Sequence, residues 1–195
     1  MARITDPQKI ENVKRAAMEI IVEYGYRGAS IAAIAKKAGV SAGYLYLHYS
    51  SKEDLLDDLI NTNLAEIRNT FYQFAVTSTS IYGFFQNTIR TLFELAKEDP
   101  IYVQLVATLV LDVDAEKILH EKNEEFKYRM LEKVFEISNY TGECHEYISE
   151  ENIMLTLMTI PFRYILLKIK EEGYERFFQE EQVEKITRMC FNSLR

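Results

Sequence analysis

The sequence is poor in residues that break helices or cross-link a fold. Its 195 residues include three prolines, seven glycines, two cysteines and no tryptophan. An all-β protein needs turn residues about every ten positions, so the scarcity of Pro and Gly excludes that class and favours an all-α fold. Neither a disulfide framework nor a four-ligand zinc site can be built from Cys144 and Cys190, which we interpret as ordinary thiols.

Signals of a membrane location and of enzyme chemistry are also missing. No stretch reaches about eighteen uncharged apolar residues, and the N-terminus lacks the apolar core of a secretory signal, so we predict a cytoplasmic protein without a membrane partner. The sequence has no His-Glu-x-x-His metal motif, no phosphate-cradling Gly-rich loop and no Gly-x-Ser-x-Gly elbow. We therefore predict that the protein is not an enzyme and holds neither a cofactor nor a metal.

The charge is acidic overall, at −7, but it is unevenly distributed. Residues 1–52 carry eight Lys or Arg and four Asp or Glu, a net charge of +4, whereas the remainder carries 15 basic and 26 acidic residues, a net charge of −11. Such a division is typical of a phosphate-binding head on a body that makes no contact with nucleic acid. Chance clustering of the basic residues is the alternative explanation for these counts.

Apolar residues recur every three or four positions along most of the chain, which predicts about nine helices. The first helix begins at Pro7 and ends at Gly25, while Ser30 and Ser41 are the N-caps of two short helices. Pro161 lies inside the eighth predicted helix and predicts a kink there. The predicted ranges are 7–25, 30–38, 41–48, 52–76, 81–97, 100–111, 115–138, 149–172 and 179–194.

The second and third predicted helices have the length and spacing of a helix-turn-helix. They are joined by a turn that contains Gly39, and Val40 and Leu45 are expected to fill the angle between them. In that motif the second helix enters the major groove of DNA while the first lies across it. On spacing alone, an ordinary helical corner explains the pattern equally well.

The segment SIAAIAKKAGVSAGYLYLHYSSKEDLL, residues 30–56, resembles the signature of the tetracycline-repressor family of transcriptional regulators. The Ala-Gly-Val-Ser turn, the Tyr46 and His48 pair, and the Ser-Lys-Glu sequence before Leu-Leu all agree. The specific resemblance covers about residues 8–60. The rest of the chain agrees with the family only in length and helical character.

The resemblance implies a DNA-binding head and a helical body joined by a long fourth helix. The head is residues 1–50, with the motif at about 29–48, and the dimerisation and ligand-binding body is residues 51–195. The implied function is a repressor that binds a pseudo-palindromic operator in double-stranded DNA as a homodimer and is released by a small-molecule effector. The alternative is a helical protein-interaction module that has kept the fold but lost specific DNA binding.

Carried over residue by residue, the resemblance implies eight DNA-contacting residues: Ser30, Ser41, Ala42, Gly43, Tyr44, Tyr46, His48 and Lys52. Tyr44 is expected to reach base edges or sugars, and Tyr46 and His48 to donate to phosphate oxygens. Ser30 and Lys52 lie at helix N-termini, which favour a phosphate. For Tyr46 and His48, packing at the corner between helices is the alternative.

The reading surface departs from the pattern of some family members. Ala32 and Ala42 occupy positions where those members place an Arg or Lys that binds guanine. Specificity would then depend on Tyr44, on apolar contacts with thymine methyl groups and on DNA shape. This predicts an operator rich in A·T at the contacted steps.

A single helix-turn-helix makes too few contacts for tight specific binding, so we expect a dimer on a two-part site. The last two long helices are apolar enough to form a four-helix interface, with closure of the core of one chain as the alternative. The predicted interface residues are Ile153, Leu157, Ile160, Tyr164, Val183, Ile186, Cys190 and Leu194.

The middle helices are rich in aromatic residues and Met, a pattern that is commoner in a core than around a pocket. The resemblance nevertheless implies a cavity for a small effector, and these residues predict an apolar or aromatic one. The predicted pocket residues are Phe71, Phe74, Phe85, Phe93, Tyr102, Met154, Met158 and Phe162.

Overall fold

A computed structural model describes residues 7–111, 113–145, 148–173 and 179–195, apart from the side chains of residues 60, 63, 113–123 and 172. Within these residues the prediction of an all-α fold is confirmed, with ten α-helices, one π-helical turn and no strand. The elements are α1 (Pro7–Gly28), α2 (Ile31–Ala38), α3 (Ala42–Tyr46), α4 (Lys52–Thr77), α5 (Ile81–Glu98), α6 (Pro100–Leu111), α7 (Val113–Thr141), α8 (Glu150–Met154), the π turn (Leu155–Thr159), α9 (Ile160–Glu172) and α10 (Glu180–Asn192).

The chain divides into two compact units, Met1–Glu66 and Ile67–Arg195. The division falls inside α4, whereas the sequence suggested a boundary after residue 50. The N-terminal unit therefore includes the acidic first half of α4 and holds eight basic and nine acidic residues, a net charge of −1. The charge of +4 belongs to residues 1–52 and not to the whole unit.

The N-terminal unit packs around one face of α1. Val13, Ala17 and Ile21 follow one another at helical spacing on that face and are fully buried. Helix α1 packs against α2, and α2 packs against α3. Ile34 of α2 and Leu45 of α3 are buried in these contacts. Burial of a side chain of this size contributes about 1.5–3 kcal/mol, so apolar packing holds the two short helices in place.

Helix α1 is broken at Gly25. Its φ of 73° and ψ of 171° are not helical, and glycine adopts them without the steric cost of a side chain. The sequence predicted the end of the helix at this residue, and the structure places the break there before a final turn that ends at Gly28. Tyr26, directly after the break, is buried.

The C-terminal unit is organised around α5, which packs against α6, α9 and α10. Phe84, Phe85 and Phe93 of α5 are buried. The Phe84 and Phe85 rings meet edge to face at 5.6 Å, and the Phe93 ring stacks with the Tyr164 ring of α9 at 6.1 Å. The side of α5 that faces the core is therefore rich in aromatic residues.

The helix predicted over residues 149–172 is interrupted by the π turn. Pro161 has no N–H, and its ring crowds the carbonyl of Leu157, four residues earlier, so regular α-helical hydrogen bonding cannot continue there. Ile153, Leu157, Pro161 and Ile165 are all buried. Steps of four residues drift by about 40° per turn on an α-helix, and the wider π turn offsets that drift so that all four face the core.

Among the described residues, one helix, Glu150–Glu171, is long and apolar enough to cross a membrane by length and composition. Its buried residues Ile153, Leu157, Phe162 and Ile165 lie in the core of the C-terminal unit. Core packing therefore accounts for part of this apolar composition, while Leu155 and Leu167 of the same helix are exposed.

Both cysteines are free thiols. Burial raises the pKa of Cys144, and it raises the pKa of Cys190 to about 12. Both thiols are therefore protonated at neutral pH, in agreement with their interpretation as ordinary thiols.

Candidate nucleic-acid interface

Helix α2 is fixed at both ends by its sequence neighbours. At its start, the Ser30 Oγ accepts a hydrogen bond from the Ala33 N–H at 3.2 Å. At its end, the Gly39 N–H donates to the Lys36 carbonyl and the Val40 N–H donates to the Ala35 carbonyl, at 3.3 and 3.0 Å. This pair of bonds needs a left-handed residue at Gly39, whose φ is 69°. The turn between the helices is thus set by a glycine.

Helix α3 follows after three residues, and its start is capped in the same way. The Ser41 Oγ accepts from the Tyr44 N–H at 3.1 Å, and Leu45 is only 1% exposed. The hydroxyl groups of Ser30 and Ser41 serve here as acceptors, which leaves each O–H available as a donor to a phosphate. Capping and DNA contact are therefore compatible at both serines.

The surface that α3 presents to solvent carries no charge. Ser41, Ala42 and Gly43 are exposed, and Tyr46 and Leu47 are 61% and 71% exposed. Ser30 is exposed as well. Five of the eight predicted DNA-contacting residues are thus accessible to DNA, namely Ser30, Ser41, Ala42, Gly43 and Tyr46. Small residues at the start of α3 allow close approach to the floor of a groove, where an apolar group contacts the thymine methyl.

Tyr44 lies differently from the prediction. Its hydroxyl oxygen is buried without a hydrogen-bond partner among the described residues, and its ring contacts the His48 ring at 4.7 Å with the planes at 57°. Tyr44 directly precedes the buried Leu45, so it lies at the border between the core and the exposed side of the short helix. In this conformation its hydroxyl points into the unit and not toward a base edge.

His48 and Tyr46, the two predicted phosphate donors, differ in their surroundings. His48 is half-buried against Tyr44, as the packing alternative expected. The side chain of Tyr46 is exposed, which leaves its hydroxyl accessible to a phosphate. Sequence reasoning treated the two alike, but only Tyr46 is clear of the core.

The Lys52 ammonium is held by α1. Its Nζ donates to the Tyr26 carbonyl at 3.1 Å and lies 4.6 Å from the centre of the Tyr26 ring. Neither contact neutralises the positive charge, and an ammonium keeps further N–H donors after one is used. The start of α4 is capped by Ser51, whose Oγ accepts a hydrogen bond from the Asp54 N–H at 3.1 Å. Lys52 is therefore a fixed cation at the capped start of this helix.

Two exposed residues of this region were missed by the sequence analysis. Leu47 lies two positions from the buried Leu45, about 200° around a helix, so both side chains cannot face the core and the spacing itself indicates exposure. Lys36 is exposed on the last turn of α2. Its neighbour Lys37 pairs with Glu19 of α1 at 3.0 Å. Lys36 is thus a further candidate for a phosphate contact.

The predicted effector residues form part of the core of the C-terminal unit. Four of them are buried, namely Phe71, Phe85, Phe93 and Phe162. The other four are half-buried, namely Phe74, Tyr102, Met154 and Met158. A groove of about 390 Å³ opens elsewhere on this unit. It is lined by Tyr82, Glu184, Arg188, Phe191 and Asn192, none of which was predicted.

Most residues predicted for the dimer interface are covered by their own chain. The six that are at most 4% exposed are Ile153, Leu157, Val183, Ile186, Cys190 and Leu194. Ile160 and Tyr164 are half-buried. The same helices expose other apolar side chains, at Leu155 (55%), Leu167 (41%) and Met189 (52%). The six buried residues therefore close the core, and a partner would meet the exposed ones.

Two capped short helices, a left-handed glycine between them and an exposed second helix define a helix-turn-helix DNA-binding protein. Comparison with known proteins agrees. The family model for bacterial regulatory proteins of the tetR family matches residues 15–59. The HTH-type transcriptional regulator YvdT of Bacillus subtilis (strain 168) is 30% identical over 195 residues, which cover 96% of this chain and 93% of that protein.

Two further similarities are to regulators from Bacillus subtilis. The fatty acid metabolism regulator protein of Bacillus subtilis is 41% identical over 51 residues, which are 26% of each chain. The crystal structure of the transcriptional regulator FadR from Bacillus subtilis in complex with stearoyl-CoA superposes with a TM-score of 0.71 at 16% identity, over 95% of this chain and 99% of that one. At that identity the superposition shows a shared fold.

This chain belongs to the tetR family of bacterial regulatory proteins. It is a DNA-binding transcriptional regulator and not an enzyme, as the sequence predicted.

Proposed function

We propose that the protein is a cytoplasmic, ligand-responsive repressor that binds a two-part operator as a homodimer. The observation that carries the proposal is the exposed, uncharged face of α3, which includes Tyr46, together with Lys36 at the end of α2 and Lys52 at the start of α4. Helix α3 enters the major groove, and the flanking donors bind the phosphates that fix its register. A protein-interaction module that has lost specific DNA binding is not favoured, because the relatives are named as transcriptional regulators.

DNA recognition is testable with the full chain and a random duplex library. We expect a two-fold symmetric consensus with A·T pairs under Ala42 and Leu47, and an affinity that falls steeply with salt because phosphate contacts release counterions. A G-rich consensus under these residues would contradict the apolar reading surface. Binding without sequence preference would instead support the interaction module.

The proposed dimer surface is the exposed apolar set Leu155, Leu167 and Met189, on the helices that the family resemblance assigns to dimerisation. A charge on an apolar side chain costs desolvation when a partner covers it but little when it stays in solvent. We expect Leu167→Glu to sediment as a monomer at micromolar concentration while the wild type sediments as a dimer. The control Val76→Glu, on an apolar residue of α4 with 48% exposure, should stay dimeric.

The proposed effector has a long apolar chain. Support comes from the buried Phe side chains of α5 and α9 and from the ligand of the FadR structure, stearoyl-CoA. A ligand that binds the folded protein raises its melting temperature, and release of DNA shows the sign of coupling. We expect stearoyl-CoA to do both and free CoA to do neither. Equal effects of the two compounds, or no effect of either, would reject an acyl-chain ligand.

A further inference from the structure

One carboxylate of α4 joins several elements of the N-terminal unit. The Asp58 Oδ2 lies 3.0 Å from the Lys14 Nζ of α1 and accepts a 2.8 Å hydrogen bond from the Tyr49 hydroxyl. The Thr62 hydroxyl donates to the Asp58 Oδ1 at 3.2 Å, and the Lys14 Nζ also donates to the Thr62 Oγ1, at 3.4 Å. We call Lys14, Tyr49, Asp58 and Thr62 the Asp58 network.

Tyr49 connects this network to the helix that faces DNA. Its backbone N–H donates to the Leu45 carbonyl of α3 at 2.9 Å, and its side chain is 7% exposed. It directly follows His48 and precedes Lys52 by three positions, so candidate phosphate donors flank it on both sides. Tyr49 is therefore fixed to α3 through its backbone and to α1 and α4 through its hydroxyl.

The protonation states of the two groups favour a hydrogen bond from the neutral Tyr49 phenol to the ionised Asp58 carboxylate. Burial raises the pKa of Asp58, but hydrogen bonds from Lys14 and Tyr49 outweigh it and hold that pKa below its ordinary value. Burial and the neighbouring Asp58 raise the pKa of Tyr49. At neutral pH the carboxylate is thus charged and the phenol keeps its proton. A hydrogen bond to a charged acceptor is stronger than a neutral one.

A helix as short as α3, with five residues, is not stable alone and takes its direction from what holds its ends. Ser41 fixes the first end. We propose that Tyr49 is a positioning residue for DNA binding: through the Asp58 network it fixes the second end of α3, and with it Tyr46 and His48, relative to α1 and α4. The inference rests on the proposed function, because it assumes that α3 docks on DNA.

The test compares Tyr49→Phe, which removes only the hydroxyl, with the wild-type full chain. The probe is the duplex that the wild type selects from a random library. We expect Kd to rise about tenfold at a temperature well below melting, with an unchanged salt slope because no phosphate contact is lost. Amide hydrogen exchange in α3 should become faster. The control Tyr140→Phe, at a tyrosine 90% exposed on α7, should change neither quantity.

A double-mutant cycle separates positioning from simple stabilisation. If Tyr49 acts through Asp58, Tyr49→Phe in an Asp58→Asn background should add little further loss of affinity. A lower melting temperature with unchanged Kd and unchanged exchange in α3 would overturn the proposal. If Tyr49→Phe does not fold, Lys14→Met removes the α1 arm of the network and should show the same rise in Kd, and an unchanged Kd there would overturn the proposal.

Different experimental results would contradict the proposed function and the positioning role of Tyr49. If the wild type selects no duplex, DNA binding fails, while exchange in α3 still measures positioning. Unchanged protection of α3 in Tyr49→Phe would then overturn the positioning role independently.

Discussion

Both units of the molecule cap helices with serines, but the C-terminal unit adds a cap from a distant segment. In the N-terminal unit Ser30, Ser41 and Ser51 each cap a helix through an N–H three residues later. In the C-terminal unit α5 is capped by Ser80 and also by Glu143, whose Oε2 accepts from the Ile81 N–H at 2.6 Å across 62 positions of sequence. The starts of α2, α3 and α4 are thus specified by near neighbours in sequence, whereas the start of α5 also depends on a distant segment.

This difference explains why a resemblance of fewer than thirty residues is enough to recognise the DNA-binding unit. Its caps, its glycine turn and its buried Leu45 all lie between positions 30 and 56. No segment of similar length in the C-terminal unit contains both partners of the Ile81–Glu143 contact. The following changes test the contrast, in order of expected effect.

The largest effect is expected from truncation of the α3 core residue. Leu45→Ala removes a side chain that is 1% exposed and should lower the free energy of unfolding by about 2–5 kcal/mol. Leu47→Ala, at a residue 71% exposed, should change it by less than about 0.5 kcal/mol yet weaken DNA binding. Urea unfolding and duplex binding measure both. Equal destabilisation by the two changes would contradict the orientation of α3.

A smaller effect is expected at the glycine between α2 and α3. Gly39→Ala places a side chain at a φ of 69° and should cost about 1–2 kcal/mol. Gly43→Ala, in the helical part of α3 with only an ordinary 3.9 Å contact, should not destabilise the fold. Thermal unfolding gives the comparison. If the Gly43 variant is nevertheless impaired in DNA binding, close approach at this position is the reason.

Loss of the distant cap should cost about 1 kcal/mol. Glu143→Ala leaves the Ile81 N–H without this acceptor, and N-caps contribute on that order. Thermal unfolding of this variant should be compared with that of Glu125→Ala, an exposed residue of α7. Equal melting temperatures for the two variants would contradict a stabilising role for the Glu143 contact.

The smallest effect is a pH dependence that arises from Asp58. Its pKa in the folded protein lies below the ordinary 3.8, so its contribution to stability is fully present above pH 3.8 and is lost as the pH falls through the folded value. The difference in unfolding free energy between wild type and Asp58→Asn should therefore shrink on acidification. A difference that stays constant down to about pH 2 would show that the Asp58 charge is not involved.

The sequence predicted the features that depend on near neighbours. The helix starts at Ser30 and Ser41, the break at Gly25 and the burial of Leu45 follow from capping, from glycine and from spacing. Two site features could not be predicted in this way, because they depend on packing in three dimensions. The Lys52 ammonium binds a carbonyl 26 positions away, and the Tyr44 hydroxyl turns inward against its own unit.

The C-terminal unit shows the same limit. Apolar periodicity identified its helices but could not assign each apolar face to the core or to a partner, so six core residues were predicted as interface. The π turn shows why: a change in helix periodicity before Pro161 alters which positions align, and a regular helical repeat does not contain that change.

The near-neutral charge of the N-terminal unit affects how the protein searches a chromosome. Attraction to arbitrary DNA comes almost entirely from neutralised phosphates. We therefore expect a unit with a net charge of −1, whose Lys14 and Lys37 already pair with carboxylates, to bind such DNA weakly. A long residence time on DNA then depends on the fit of α3 to the operator sequence. Discrimination between the operator and the rest of the genome therefore comes from weak binding elsewhere as much as from strong binding at the operator.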